Sequence, residues 1–180
     1  MRDELLRGTV DYLLANGIAG LSLRPLAKAL GTSDRMLIYH FGSKDQLMTD
    51  AISAIADRLA VQLGGAVAAT TAASADRFVK GCWKVFTDRE QRSVIALLFE
   101  VDALAVRHGG AYAATATALG DLWIGLIQER LEHFGHDRVA SSALAPGIAA
   151  ELIGLILYAL STNTAEPTTS LQHLAARMTP

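Results

Sequence analysis

The sequence has few of the residues that staple, interrupt or flatten a chain. One cysteine, Cys82, stands among 180 residues. That excludes an internal disulfide and a cysteine-based zinc site, and suits a reducing cytoplasm. Only four prolines occur, and alternation of β-branched and aromatic residues with period two is hard to find. A sheet is therefore not expected. Apolar runs are short: the best, residues 148–160, contains Glu151 and falls below the roughly 20 residues of a membrane helix. The opening MRDELLRG is charged, so no secretory signal is expected. An excess of one charge is missing too. The net charge of −2 argues against a general basic coat for nucleic acid.

What is present is apolar and helix-forming. Hydrophobic residues make up 51% and charged residues 19%, enough for one or two small domains with a core. Alanine and leucine favour helix, and the expected class is all-α. The charges are unevenly placed. Between Ser22 and Lys44, the four cations Arg24, Lys28, Arg35 and Lys44 face one anion, Asp34, whereas from Asp45 onward ten basic residues face fourteen acidic ones. A short positive strip is attached to a mildly acidic body.

Leu5, Leu6, Val10, Leu13 and Leu14 recur at helical spacing, predicting a first helix over residues 2–15 that stops at Asn16-Gly17. Ser22 can cap a second, with Pro25 tolerated in its first turn and Gly31 ending it. A third spans residues 33–40 and stops at Gly42. Ser43 and Gln46 have the spacing of a capping box for the fourth. The stretch GGAVAATTAAS, residues 64–74, reads as a loop. Five more helices are expected over residues 75–87, 89–107, 112–134, 138–161 and 168–178, with Pro146-Gly147 a place for a kink or a division. About nine helices would thus form two domains, residues 1–46 and 47–180.

The second and third helices, joined by Gly31-Thr32-Ser33, have the form of a helix-turn-helix. Leu37 and Phe41, four apart, would face inward. Thr32, Ser33, Arg35, Met36, Tyr39 and His40 would lie around the outward face. An eight-residue helix is too short to be stable alone, so its neighbours must hold it. Its outer face is then free to enter a major groove, Arg35 bonding guanine and Thr32 or Met36 touching a thymine methyl. Ser22 and Arg24 open the same strip, and Lys44 sits at a helix start suited to phosphate.

From Leu21 to Leu47, LSLRPLAKALGTSDRMLIYHFGSKDQL resembles the signature of the TetR family of bacterial transcriptional regulators. The matching positions are Ser22, Ala27, Gly31, Leu37, Tyr39-His40-Phe41, Lys44, Asp45 and Leu47. Arg35 stands where the family commonly has glycine, and Ile38 where it commonly has the first tyrosine. The resemblance implies an N-terminal DNA-binding domain and a larger helical domain for ligand binding and dimerisation. It further implies a homodimer on a palindromic double-stranded operator, with half-sites roughly 34–36 Å apart, and a repressor released by a small-molecule effector that moves the fourth helix.

For the larger domain, apolar helices carrying rings and acids suggest a pocket from Cys82, Trp83, Phe86, Phe99, Glu100 and Trp123. A buried carboxylate there would favour a cationic or hydrogen-bond-donating ligand. The apolar segment GIAAELIGLILYALS and the final helix suggest an interface through Leu152, Leu155, Ile156, Ala159, Leu171 and Leu174. His133 and His136 in EHFGHD invite a metal reading, but Gly135 between them breaks the helical spacing, so no metal is expected. Nor is a cofactor. No phosphate loop, ordered triad or activated thiol stands out, and an enzyme is not expected. The alternative to a regulator is a helical small-molecule-binding protein with a non-functional DNA-binding motif.

Overall fold

The computed structural model describes residues 1–18, 21–69, 74–164 and 166–180, with the backbone alone at residues 59, 60 and 62–69. These residues form nine helices and no strand. In chain order they are α1 (Arg2–Asn16), α2 (Leu23–Ala29), α3 (Asp34–Phe41), α4 (Lys44–Ala69), α5 (Ala75–Thr87), α6 (Arg92–His108), α7 (Gly110–His133), α8 (Arg138–Thr162) and α9 (Thr168–Arg177). Two compact units result. Unit 1 joins Met1–Ala60 to Ser93–Ala118, and unit 2 joins Val61–Arg92 to Leu119–Pro180.

Unit 1 begins with three helices packed on one another. Leu5, Val10 and Leu13 of α1, Leu26 and Ala27 of α2, and Leu37 and Phe41 of α3 are buried. A side chain on Gly8 would run into Leu30, so the glycine keeps α1 close to the end of α2. Met48, Ala51, Ile52, Ile55 and Ala56 bury one stripe of α4, as its helical spacing predicts. Glu100 of α6 accepts a hydrogen bond from the backbone N–H of Ile18 at 2.7 Å. It thereby holds the segment after α1, where Gly17 takes φ +76° and a Cβ would lie 3.0 Å from that carboxylate.

Unit 2 is built on α5, which packs against both α8 and α9. Phe78, Val79, Cys82, Trp83 and Phe86 are buried, as are Leu152, Ile156, Leu171 and Leu174 opposite. Asp137 caps α8, accepting from the N–H of Ala140 at 2.8 Å, and Glu151 of α8 pairs with Arg177 of α9.

Three expectations change. Residues 64–69, read as loop, extend α4, since alanine and valine at intervals outweigh two glycines in a helix already running; residues 70–73 lie outside the described residues. Pro146 does not divide α8, which is helical from Arg138 to Thr162. Counting only residues 148–160 also understated α8: by length and composition it could cross a membrane, with a mean hydropathy of 1.9 over a window that is 33% buried. In this fold its inner stripe instead packs with α5 and α9.

Candidate nucleic-acid interface and effector pocket

The geometry of α3 follows from its ends and its two anchors. Ser33 caps its start, accepting from the N–H of Met36 at 3.3 Å, and Gly42 ends it at φ +80°, a conformation costly for any side chain. Leu37 and Phe41 are buried, and the Arg2 guanidinium lies over the Phe41 ring at 4.9 Å. Arg2 also bonds Asp50 at 2.5 Å, so one side chain ties α1 to α3 and α4. What remains of α3 faces outward. Arg35 is exposed, Tyr39 is 78% exposed, and Met36 and Ile38 are each 38% exposed. His40 is half-buried with its ring edge-on to Tyr39 at 5.2 Å, and its Nε2 is buried without a partner among the described residues.

Around this helix, Ser22 is the extended N-cap of α2 but its hydroxyl makes no capping bond. Arg24 is exposed and Thr32 half-buried. Ser43 accepts from the N–H of Gln46 at 3.0 Å, whereas the Gln46 amide turns to Asp50 at 2.8 Å, so only half of the expected capping box forms. Lys44 differs more. Its ammonium donates to the Leu21 carbonyl at 2.5 Å, which fastens the start of α4 to the segment before α2. Two N–H donors of the ammonium remain for other acceptors.

The six residues expected in a pocket divide between the units. Phe99 and Glu100 belong to unit 1, and Cys82, Trp83, Phe86 and Trp123 to unit 2. Glu100 is engaged by Ile18, so it is no isolated carboxylate awaiting a cation. In unit 2, Phe78, Cys82 and Phe86 succeed one another at four-residue intervals on α5. They meet the α7 face of Trp123 and Arg130 and the adjoining Phe134 in antiparallel order. Phe86 lies edge-on to Trp123 at 5.1 Å, Phe78 edge-on to Phe134 at 6.4 Å, and Arg130 acts electrostatically on Cys82 between them. Burial pushes the Cys82 thiol up to about 12, outweighing the opposing pull of Arg130.

Sequence reasoning missed Arg130. Its signal was a cation seven residues after Trp123 and three after Ile127, inside the apolar stripe of α7. The expected interface residues are also placed differently. Leu152, Ile156, Ala159, Leu171 and Leu174 are buried within the chain, and Leu155 is half-buried. The reason is that α8 and α9 turn their most apolar stripes to α5.

Residues 5–51 match the model of the bacterial regulatory proteins of the tetR family. No curated protein matches the chain. Among solved structures, SCO7518 from Streptomyces coelicolor A3(2), described as a transcriptional regulator, has 20% identity and a TM-score of 0.78, over 99% of this chain and 98% of that one. A TetR transcriptional regulator from Legionella pneumophila has 20% identity and a TM-score of 0.72, over 99% and 95%. The multidrug-binding protein EbrR, complexed with proflavin, has 20% identity and a TM-score of 0.76, over 98% of each chain. The fold of the whole chain is thus that of these three structures, and its N-terminal part, residues 5–51, is similar to the N-terminal domain of the bacterial regulatory proteins of the tetR family.

Proposed function

We propose that the protein is a cytoplasmic, homodimeric transcriptional repressor, in which residues 1–46 read a palindromic operator and residues 47–180 bind an effector and join the subunits. The observation that carries this reading is α3. Two inward anchors and two capped ends hold a short helix whose Arg35, Met36 and Tyr39 are exposed together. Arg35 and Met36 contact bases, and Ser22, Arg24, Thr32, Ser33, Tyr39, His40 and Lys44 position the domain on the backbone. The effector half draws support from EbrR, which has been seen with proflavin and with imidazole.

The subunit interface falls to the outer stripe of α8 rather than to its buried leucines. Ala143, Gly147, Ala150, Gly154 and Leu157 recur every three or four residues and are all exposed, with Tyr158 61% exposed beside them. Small residues let two such helices approach closely, and a two-fold axis pairs the stripe with itself. The test is a salt-titrated gel shift with DNA flanking the coding region, run beside gel filtration. The expected result is sequence-specific binding by a dimer, both lost together in Ala150→Glu. Equal binding to all sequences, or a monomer at micromolar concentration that still binds specifically, would overturn the proposal.

A further inference from the structure

Unit 2 contains buried polar atoms that its own packing leaves without partners. Trp123 is 8% exposed and its indole N–H meets no acceptor, and the Nε of half-buried Arg130 is buried and equally unmatched among the described residues. Both sit on one face of α7, two turns apart, hence roughly 10 Å along the axis. The Cα–Cβ bond of Arg130 tilts toward the N-terminus of α7, as in any α-helix, and its guanidinium is near enough to Cys82 to act on it electrostatically. Among the described residues Arg130 makes no ion pair with any of the acidic side chains of this unit. Asp76 pairs with Lys80 and Glu151 with Arg177, while Glu129 and Glu132 on α7 are exposed. Around the two donors the lining is aromatic and thiol: Phe78, Cys82 and Phe86 from α5, with Phe134 beyond the end of α7.

A desolvated guanidinium N–H and a desolvated indole N–H are costly to leave unmatched. An occupant whose anion accepts from the guanidinium offsets that share of the cost. An occupant carrying a positive charge adds repulsion to it. We propose, resting on the effector reading above, that the face shared by α5 and α7 binds a planar aromatic carboxylate, its carboxylate on Arg130 and its ring system against Phe86 and Trp123. The protein would thus select organic anions, the opposite of the cationic preference that a free buried Glu100 would have implied. Edge-to-face pairing already present between Phe86 and Trp123 offers a ring of the ligand a matching partner.

The test is calorimetric titration of the full chain with 2-naphthoate, its neutral isostere 2-naphthamide, and the cation proflavin. The wild type should bind naphthoate at least roughly tenfold more tightly than naphthamide, the range of a hydrogen bond to a charged group, and more tightly than proflavin. Arg130→Gln should remove that preference, and Arg130→Lys should restore only part of it, because an ammonium lacks the planar fork. Equal affinity for naphthoate and naphthamide in the wild type overturns the proposal without relying on a variant that folds. So does undiminished naphthoate binding by Arg130→Gln, preferred binding of proflavin, or no binding of naphthoate at all. A parallel gel shift separates this from the regulator reading. Specific DNA binding without naphthoate binding sinks the anion site alone, whereas naphthoate binding through Arg130 without specific DNA binding supports the site and sinks the regulator.

Discussion

The two units treat their polar groups in opposite ways. In unit 1 the polar side chains around α3 are used up locally: Ser33 and Ser43 cap helices, Lys44 holds the Leu21 carbonyl, and Glu100 holds the Ile18 N–H. In unit 2 four buried polar atoms, on Trp123, Arg130, His136 and Ser141, lack partners among the described residues, against one, on His40, in unit 1. A domain that works with its outer surface can satisfy nearly all the polar atoms inside it. On the proposed reading unit 2 works from within, and its unmatched polar atoms are those an occupant would engage. The same contrast separates side chains whose loss unfolds a domain from those whose loss only silences it.

The sharpest way to break that contrast is Leu37→Ala. Leu37 is completely buried, and removing such a leucine costs about 2–5 kcal/mol. Since α3 is too short to persist without its anchors, the variant should lose specific DNA binding and the cooperative melting of unit 1. Urea unfolding followed by circular dichroism measures the stability loss. A loss below about 1 kcal/mol would mean that α3 is held by something other than its inward anchors.

Arg35→Ala probes the outer face of the same helix. Its guanidinium is exposed and makes no ion pair among the described residues, so stability should stay within about 0.5 kcal/mol of the parent. Specific DNA affinity should fall by about 1–3 kcal/mol, with sequence preference relaxed at one position of each half-site. A uniform loss across all sequences would reassign Arg35 from a base to a phosphate. On the proposed reading, Arg35 should carry a larger share of the recognition, because Ile38 stands where the tetR family commonly has a tyrosine.

Much of this was legible in the chain itself, for a physical reason. Helix ends are local: Gly17, Ser33, Gly42, Ser74 and Asp137 act within four residues of themselves, and they set ends of α1, α3, α5 and α8. Inward anchors of α3 are equally local, since Leu37 and Phe41 share a face by spacing alone. Partners separated by long stretches of chain were not legible. Nothing near Glu100 in sequence points to Ile18, 82 residues away, and nothing near Lys44 points to the Leu21 carbonyl. The direction of α8 was hidden for another cause. It is apolar on nearly every side, so periodicity could not tell the stripe that meets α5 and α9 from the stripe left outside.

Glu100→Gln tests one of those distant links. The amide keeps the shape and an acceptor oxygen, but loses the charge that strengthens the bond to the Ile18 N–H. A loss of about 1 kcal/mol in the stability of unit 1 is expected, with α1 to α3 otherwise intact. Hydrogen exchange at Ile18 should quicken more than exchange at Leu37. If both quicken alike, the carboxylate supports unit 1 as a whole and not the segment after α1.

Cys82 gives the smallest effect at neutral pH and the clearest one in alkali. Its thiol is pushed up to about 12, chiefly by burial, with Arg130 pulling the other way. A thiol in the unfolded chain ionises near pH 8.5. The folded state therefore holds the proton more tightly, and the neutral thiol costs no stability below that pH. Between about pH 8.5 and 12 the unfolded state has shed a proton that the folded state retains, so stability falls as pH rises through this window. Replacing Cys82 with alanine should remove that component of the decline, while leaving a small cavity cost at pH 7. In the parent, a disulfide reagent at pH 8 should label Cys82 only as fast as unit 2 opens. Prompt labelling of the folded protein would mean that the thiol reaches solvent. An aromatic carboxylate seated on Arg130 should slow the labelling further by stabilising the closed state, which joins this test to the contrast between the two units.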